Sequence, residues 1–193
     1  VRQRARLAAA ERHHPVAEGR VRLAGRHASR VIGQMIRGVP ALQRQVDAQA
    51  QLRANIAAIE ASFTSDEARV YRQGGDVIVS LMGISFPWGR STSDASSSPL
   101  MKKVQEALAR FPDATVVVEG HTDANGSDSA NLILSQDRAD AVKQYLVGQF
   151  GANAEKVSSI GYGEARPVAT NETAAGRARN RRIDLVIHVQ GSG

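Results

Sequence analysis

The protein is a chain of 193 residues, of which 42% are hydrophobic and 23% charged. This length allows one domain with an appendage, and the composition excludes a wholly disordered or collagen-like chain. Cysteine is absent, which excludes disulfides, thiol nucleophiles and cysteine-ligated metals, and no stretch approaches the roughly 18–20 apolar residues of a membrane-spanning helix.

The net charge of +6 is distributed unevenly along the chain. Residues 1–65 carry 11 arginines against four acids, hence +7, and residues 66–193 carry 14 Lys and Arg against 15 Asp and Glu, hence −1. Such asymmetry indicates two modules. The spread of the arginines favours a solvated helical face, with contact to nucleic acid, anionic lipid or an acidic polymer as the open alternative. The chain begins at Val1 without a signal-like segment, so we expect a processed or truncated start.

Residues 1–65 are predicted to form a basic helical segment. Apolar residues recur at spacings of three and four from Val31 to Val46 and, after a phase slip, from Leu52 to Phe63. Gly38 and Pro40 could kink this segment or separate two helices, so a hairpin and one extended helix both remain open. A single apolar stripe with no second layer is expected to pack on itself, to dimerise or to fray.

Residues 66–193 alternate between strand-like and helix-like stretches. The predicted strands are 67–72, 76–82, 115–119, 157–162 and 182–189, and the predicted helices are 100–111, 130–150 and 173–180. The Gly74-Gly75 pair indicates a hairpin between the first two strands. The predicted fold class is an α/β (α+β) sandwich, a mixed sheet of about four to five strands with helices packed on one face.

Between the second strand and the next helix lies a stretch with two expected features. Residues 90–98 are rich in serine and are predicted to form a loop that ends with Ser98 as an N-cap. Trp88 is expected to be buried against the sheet, with an exposed contact role as the alternative.

Three stretches carry the functional signal, namely Val117–Asp123 followed by Asn131–Ala139, then Ile160–Pro167, then Gly176–Ile183. Asp123 lies just past a central strand, and Arg138 lies about two helical turns beyond Asn131 on the same helix face. A fixed carboxylate facing a fixed guanidinium suits a zwitterion, because the carboxylate takes an ammonium and the guanidinium forks onto a carboxylate. A simple ion pair between Asp123 and Arg138 is the alternative.

In their order and spacing these motifs closely resemble the OmpA-like peptidoglycan-binding domain, over about Val70 to Val189. The resemblance implies that Asp123 binds the amino group, and Arg138 the carboxylate, of one stereocentre of meso-diaminopimelate in the peptidoglycan stem. Thr122 and Asn131 would supply supporting hydrogen bonds, and Arg182 or Arg181 would line the same cleft. The loop of residues 124–129 departs from the commonest family pattern, which leaves room for weakened or retuned binding.

The function implied by this resemblance is a non-enzymatic tether. The domain would bind peptidoglycan non-covalently and link the outer membrane or an envelope complex to the cell wall, in the periplasm or at the outer membrane of a Gram-negative cell. An N-terminal membrane anchor missing from this sequence, a partner protein or a homodimer through the N-terminal helices would complete the link. The alternatives are a stator or transport-complex component that uses the same domain, and a cell-wall hydrolase.

Other chemistries have weak support in the sequence. His121 and Asp123 lie near serines, but no G-x-S-x-G elbow accompanies them, so no catalytic residue is expected and His121 is interpreted as structural. Gly161-Tyr162-Gly163 is interpreted as a turn rather than a dinucleotide fingerprint. His13-His14 lacks further ligands at metal spacing. We expect no cofactor, no metal and no specific nucleic acid, since the arginine-rich segment has no interleaved aromatic residues.

Overall fold

The computed structural model describes the backbone of residues 15–82 and 99–189, with side chains from residue 39 onward in the first range. The expectations for Trp88, for the serine-rich loop and for Ser98 lie outside these residues. The chain divides into two compact units between Leu52 and Arg53.

One helix, α1, forms the N-terminal part of the described chain and runs over Pro15–Ser62. Over these residues the backbone forms one continuous helix. Pro40 lies inside this helix. Its missing N–H removes one backbone hydrogen bond, and the helix continues on both sides of it. No helix in the described part of the chain combines the length and the apolar character needed to cross a bilayer.

The last turns of α1 belong to the second compact unit. Ile59 is only 1% exposed, and Asn55 Nδ2 donates a hydrogen bond to the Arg110 carbonyl over 3.3 Å. The unit thus begins at Arg53, earlier than the change in composition near residue 65, because helical and globular residues share one core there.

The second unit is built on a mixed sheet of five strands in the order β1-β2-β5-β3-β4. The strands are β1 Ala68–Gln73, β2 Asp76–Met82, β3 Thr115–Gly120, β4 Val157–Gly161 and β5 Arg182–His188. β1 and β2 form the expected hairpin, with Gly74 at a φ of 61° in the turn. β3 and β4 are parallel, and the other pairs are antiparallel.

The helices of this unit are α2 Pro99–Leu108, α3 Asp128–Gly148 and α4 Ala174–Asn180. One sheet face is apolar and buried, and it holds Val77, Val79, Leu81, Val116, Val118, Ile183, Leu185 and Ile187. A cleft lined by Leu108 of α2, Leu146 of α3 and Val116 of β3 shows that both helices meet this face. The predicted mixed sheet with packed helices is confirmed.

Two glycines let α3 lie unusually close to the sheet. A Cβ on Gly120 would collide with the carbonyl oxygen of Ser135, and one on Gly161 would collide with the backbone nitrogen of Gln136. The helix is also tied to β4, because the Gly161 N–H donates to Gln136 Oε1 over 2.7 Å. α3 and the ends of β3 and β4 therefore hold a fixed relative position.

Candidate functional site

Asp123 lies in the loop that follows β3, and backbone hydrogen bonds fix the start of that loop. The His121 N–H donates to the Arg182 carbonyl over 3.0 Å, and the Thr122 N–H donates to the Gly163 carbonyl over 2.9 Å. Asp123 is 6% exposed. Its Oδ1 accepts the Asn125 N–H over 3.0 Å, and its Oδ2 accepts Arg181 Nη1 over 2.5 Å.

The carboxyl of Asp123 is held in its ionised form. Burial works against the charge, but the hydrogen bonds from Arg181 and Asn125 and the positive charges of Arg181 and Arg177 outweigh it. The pKa of Asp123 therefore lies below its ordinary value, and the site holds a carboxylate at neutral pH.

Asn131 joins the first turn of α3 to this loop. Ser127 caps the helix by accepting the Ala130 N–H over 3.3 Å, which sets Asn131 at the start of the buried face. Asn131 Nδ2 donates to the Asp123 carbonyl over 3.2 Å and to Glu164 Oε2 over 2.6 Å. Asn131 thus acts as a brace between the loop, the helix and the turn after β4.

Arg138 lies further along α3 and is half-buried. Burial and the like charge of Arg181 lower the pKa of its guanidinium, and the charge of Asp123 opposes that shift. Arg138 is therefore within electrostatic reach of both Asp123 and Arg181, while remaining a cation at neutral pH. Among the described contacts, Asp123 is hydrogen-bonded to Arg181 rather than to Arg138.

Arg182 or Arg181 was expected to line this cleft, and the side chain of Arg182 is bonded elsewhere. It opens β5, and its Nε donates to Asp184 Oδ2 over 2.9 Å while its Nη2 donates to the Arg166 carbonyl over 3.1 Å. Its side chain is 5% exposed. The guanidinium that meets Asp123 belongs to the preceding residue, Arg181, whose side chain is 47% exposed.

Two further residues complete the site. Thr122 is 4% exposed, and its Oγ1 is buried without a hydrogen-bond partner in the described residues. Glu164 Oε2 accepts a hydrogen bond from Asn131. Glu164 was not named as a site residue from the sequence, although it lies in the Gly-Tyr-Gly-Glu stretch that carried part of the functional signal. We use the name zwitterion site for Thr122, Asp123, Asn131, Arg138 and Arg181.

The zwitterion site combines the Asp123 carboxylate with two guanidiniums, and the Glu164 carboxylate borders it through its hydrogen bond from Asn131. The half-buried guanidinium of Arg138 can receive a ligand carboxylate, and the Asp123 carboxylate has lone pairs beyond those used by Arg181 and Asn125. A ligand that carries an ammonium beside a carboxylate matches these groups.

Geometry around His121 gives no support to a hydrolase. Its two ring nitrogens lack hydrogen-bond partners in the described part of the chain. Ser135, a buried serine of α3, uses its hydroxyl to bond the Leu132 carbonyl and the Gly163 N–H instead, over 2.8 Å in each case. A nucleophile-and-base pair of the serine hydrolase kind is not formed by these two residues.

A sequence model of the OmpA family matches residues 85–181, about half of the chain, and the chain belongs to the OmpA family. Outer membrane porin F of Pseudomonas aeruginosa is 36% identical over 115 residues, which cover 60% of this chain and 33% of the porin. Peptidoglycan-binding protein ArfA of Mycobacterium tuberculosis is 38% identical over 89 residues, 46% of this chain and 27% of that protein. The chain thus spans a third or less of the length of these relatives.

The likeness to a solved structure covers nearly all of the chain in that structure. The cell wall anchor of the type VI secretion system from Pseudomonas aeruginosa superposes with a TM-score of 0.58 and 26% identity. The match covers 70% of this chain and 97% of that chain.

Proposed function

We propose that this protein binds peptidoglycan non-covalently through the zwitterion site and serves as an anchor to the cell wall. The observation that carries the proposal is the convergence of the Asp123 carboxylate with the guanidiniums of Arg138 and Arg181 in a member of the OmpA family. A relative named as a peptidoglycan-binding protein and a solved cell wall anchor support it.

The ligand group is a diaminopimelate stereocentre in the stem peptide. Its carboxylate receives the fork of Arg138, and its ammonium binds Asp123. In the structure Arg181 Nη1 is hydrogen-bonded to Asp123 Oδ2. The ligand ammonium displaces Arg181 from this oxygen. The Arg181 side chain is half-exposed and can swing into water or onto a ligand carboxylate.

The supporting residues act through position. Asn131 braces the loop that carries Asp123 by bonding its carbonyl. Thr122 precedes Asp123 in the same loop, and its buried Oγ1 reaches a bound stem peptide only if the loop opens on binding. The role is one of binding rather than turnover, and no muropeptide release from sacculi is expected.

Retention on purified sacculi tests the site. Asp123→Asn and Arg138→Gln should each weaken retention about tenfold or more, because a charge-assisted contact contributes about 1.5–3 kcal/mol. Asp137→Asn and Arg179→Gln remove the same charges from exposed positions on α3 and α4 and should bind like the wild type. Equal retention by all four variants would rule out the assignment.

The setting of the anchor is the periplasmic side of the envelope. The porin relative is named for the outer membrane, which supports a link between that membrane and the wall through a segment outside this sequence. The solved secretion-system anchor favours the alternative, an anchoring component of a multi-protein complex. Co-purification from solubilised envelopes separates the two, since only the second retains stoichiometric partner proteins.

We also propose that α1 pairs with a second copy of the chain. Val39, Leu42 and Val46 are 62%, 63% and 52% exposed, and their spacing sets them along one stripe of the helix. Light scattering should give a dimer mass for the wild type and a monomer mass for Leu42→Lys. A monomeric wild type would refute the pairing.

A further inference from the structure

On the sheet face opposite the apolar core, a groove of about 490 Å³ collects several charged residues. Its lining includes Tyr71, Glu119, His121, Arg166, Arg182 and Asp184. Glu119 lies near the end of β3 and is the register partner of Asp184 on β5, and His121 directly follows the strand and continues its pairing with β5 through the Arg182 carbonyl. The strand geometry therefore turns all three side chains to the same face.

We propose that Glu119, His121 and Asp184 form a binding site for a zinc-like divalent cation. One imidazole nitrogen and two carboxylate oxygens, all within 4.8 Å of one another, supply its ligand atoms. This site is separate from the zwitterion site, and the proposal is independent of peptidoglycan binding.

The distances between the donor atoms are close to those of a metal site. His121 Nε2 lies 3.4 Å from Asp184 Oδ2 and 3.8 Å from Glu119 Oε2. Ligands about 2.0–2.2 Å from a tetrahedral zinc are about 3.3–3.6 Å apart. Small side-chain movements would bring the three donors onto one ion, and the groove leaves a further position for water or a ligand.

The state of His121 is the second observation that points to a ligand. Its side chain is 1% exposed, and its Nδ1 has no hydrogen-bond partner in the described residues. Its Nε2 faces the Asp184 and Glu119 carboxylates at 3.4 and 3.8 Å without forming a well-aligned hydrogen bond. Buried polar groups are normally paired, because an unpaired one costs about 1–3 kcal/mol. Stacking on Tyr162, with ring centroids 5.5 Å apart, fixes the plane of the ring. A cation bound at Nε2 would satisfy that nitrogen.

The surrounding groups orient the carboxylates and also weaken the site. Ser80 Oγ donates to Asp184 Oδ1 over 2.5 Å, and Arg182 Nε donates to Oδ2 over 2.9 Å. Each carboxylate oxygen has more than one lone pair, so Oδ2 can accept Arg182 and bind a metal as well. Arg166 Nη1 lies 3.6 Å from Glu119 Oε2 and competes with a cation for that oxygen.

Calorimetric titration of the chelator-stripped full chain with Zn²⁺ tests the proposal. The wild type should bind one ion that Glu119→Gln and His121→Ala each weaken at least about tenfold. His188→Ala is the matched control, since His188 is half-exposed and paired with Asp76 over 2.8 Å at the other end of β5. Histidines near the N-terminus are retained in every variant and add the same background.

A gain of affinity provides the sharper readout. Arg166→Gln should tighten zinc binding about threefold, because it removes a half-exposed competing charge. A site made by unrelated histidines would not respond. If His121→Ala fails to fold by circular dichroism, Glu119→Gln and Arg166→Gln decide the question. Wild-type protein that binds no zinc, or zinc binding unchanged in Glu119→Gln and Arg166→Gln, overturns the proposal.

Discussion

Gly120→Ala tests the close approach of α3 to the sheet. The new Cβ would lie 2.8 Å from the Ser135 carbonyl carbon and 3.2 Å from its Cα, and closer still to the carbonyl oxygen. Ordinary carbon contacts are about 3.5–4.0 Å, so the backbones must separate by about 0.7 Å or more. Gly120 belongs to β3 and Ser135 to α3, so neither residue can shift without moving its strand or helix. Overpacking of this kind costs about 1–3 kcal/mol, and we expect the upper end of that range.

Urea unfolding of the full chain, followed by circular dichroism, measures this cost. Gly148→Ala is the control on the same helix, because its Cβ would meet nothing within 4 Å; it should stabilise the protein by about 0.5 kcal/mol. Gly120→Ala should also weaken sacculus retention, since α3 carries Asn131 and Arg138. An unfolding free energy for Gly120→Ala within about 0.5 kcal/mol of the wild type would refute the reasoning.

Three further predictions concern stability. Ile59→Ala should cost about 2–5 kcal/mol in urea unfolding, whereas Gln45→Ala on the same helix, at an exposed position away from the Val39–Val46 stripe, should cost under about 0.5 kcal/mol; equal costs would contradict the division of α1. Asn180→Ala should cost about 3 kcal/mol by the same measurement, because this 0% exposed side chain makes four hydrogen bonds to the segment of residues 168–171, and a cost near zero would contradict that role. Burial raises the pKa of Tyr145, so above about pH 10 the unfolded chain releases a proton that the folded chain keeps, and stability falls as pH rises. Tyr145→Phe should show a smaller fall between pH 9 and pH 11, and an unchanged fall would exclude Tyr145 as its source.

Local patterns were sufficient to predict most elements of the second unit. The run of Val116 to Val118 predicted β3, and Gly74-Gly75 predicted the hairpin. The order of strands was beyond such patterns, because β5 pairs with β2 and β3 across long stretches of chain. Propensity also left α1 undecided at Pro40, since a single missing hydrogen bond does not end a helix of 48 residues.

The candidate site was also predictable from the sequence only in part. The resemblance to the OmpA-like motifs selected Asp123, Asn131 and Arg138, which share one region of the structure. The choice between Arg181 and Arg182 depended on where β5 begins, because the first residue of a strand turns its side chain to a fixed face. The Glu119-His121-Asp184 cluster was not predicted, since its members meet only through the pairing of β3 with β5.

The central position of β5 has a consequence for how the protein is made. This strand fills the gap between β2 and β3, yet it comes after the other four strands of the sheet in chain order. Until it arrives, two hydrophobic strand edges stay open to neighbouring chains, a condition that promotes aggregation. A truncation before Arg182 should therefore give insoluble material rather than a smaller folded domain. Folding of this sheet must wait until all five strands have been made, which favours a chaperone-held intermediate during biogenesis.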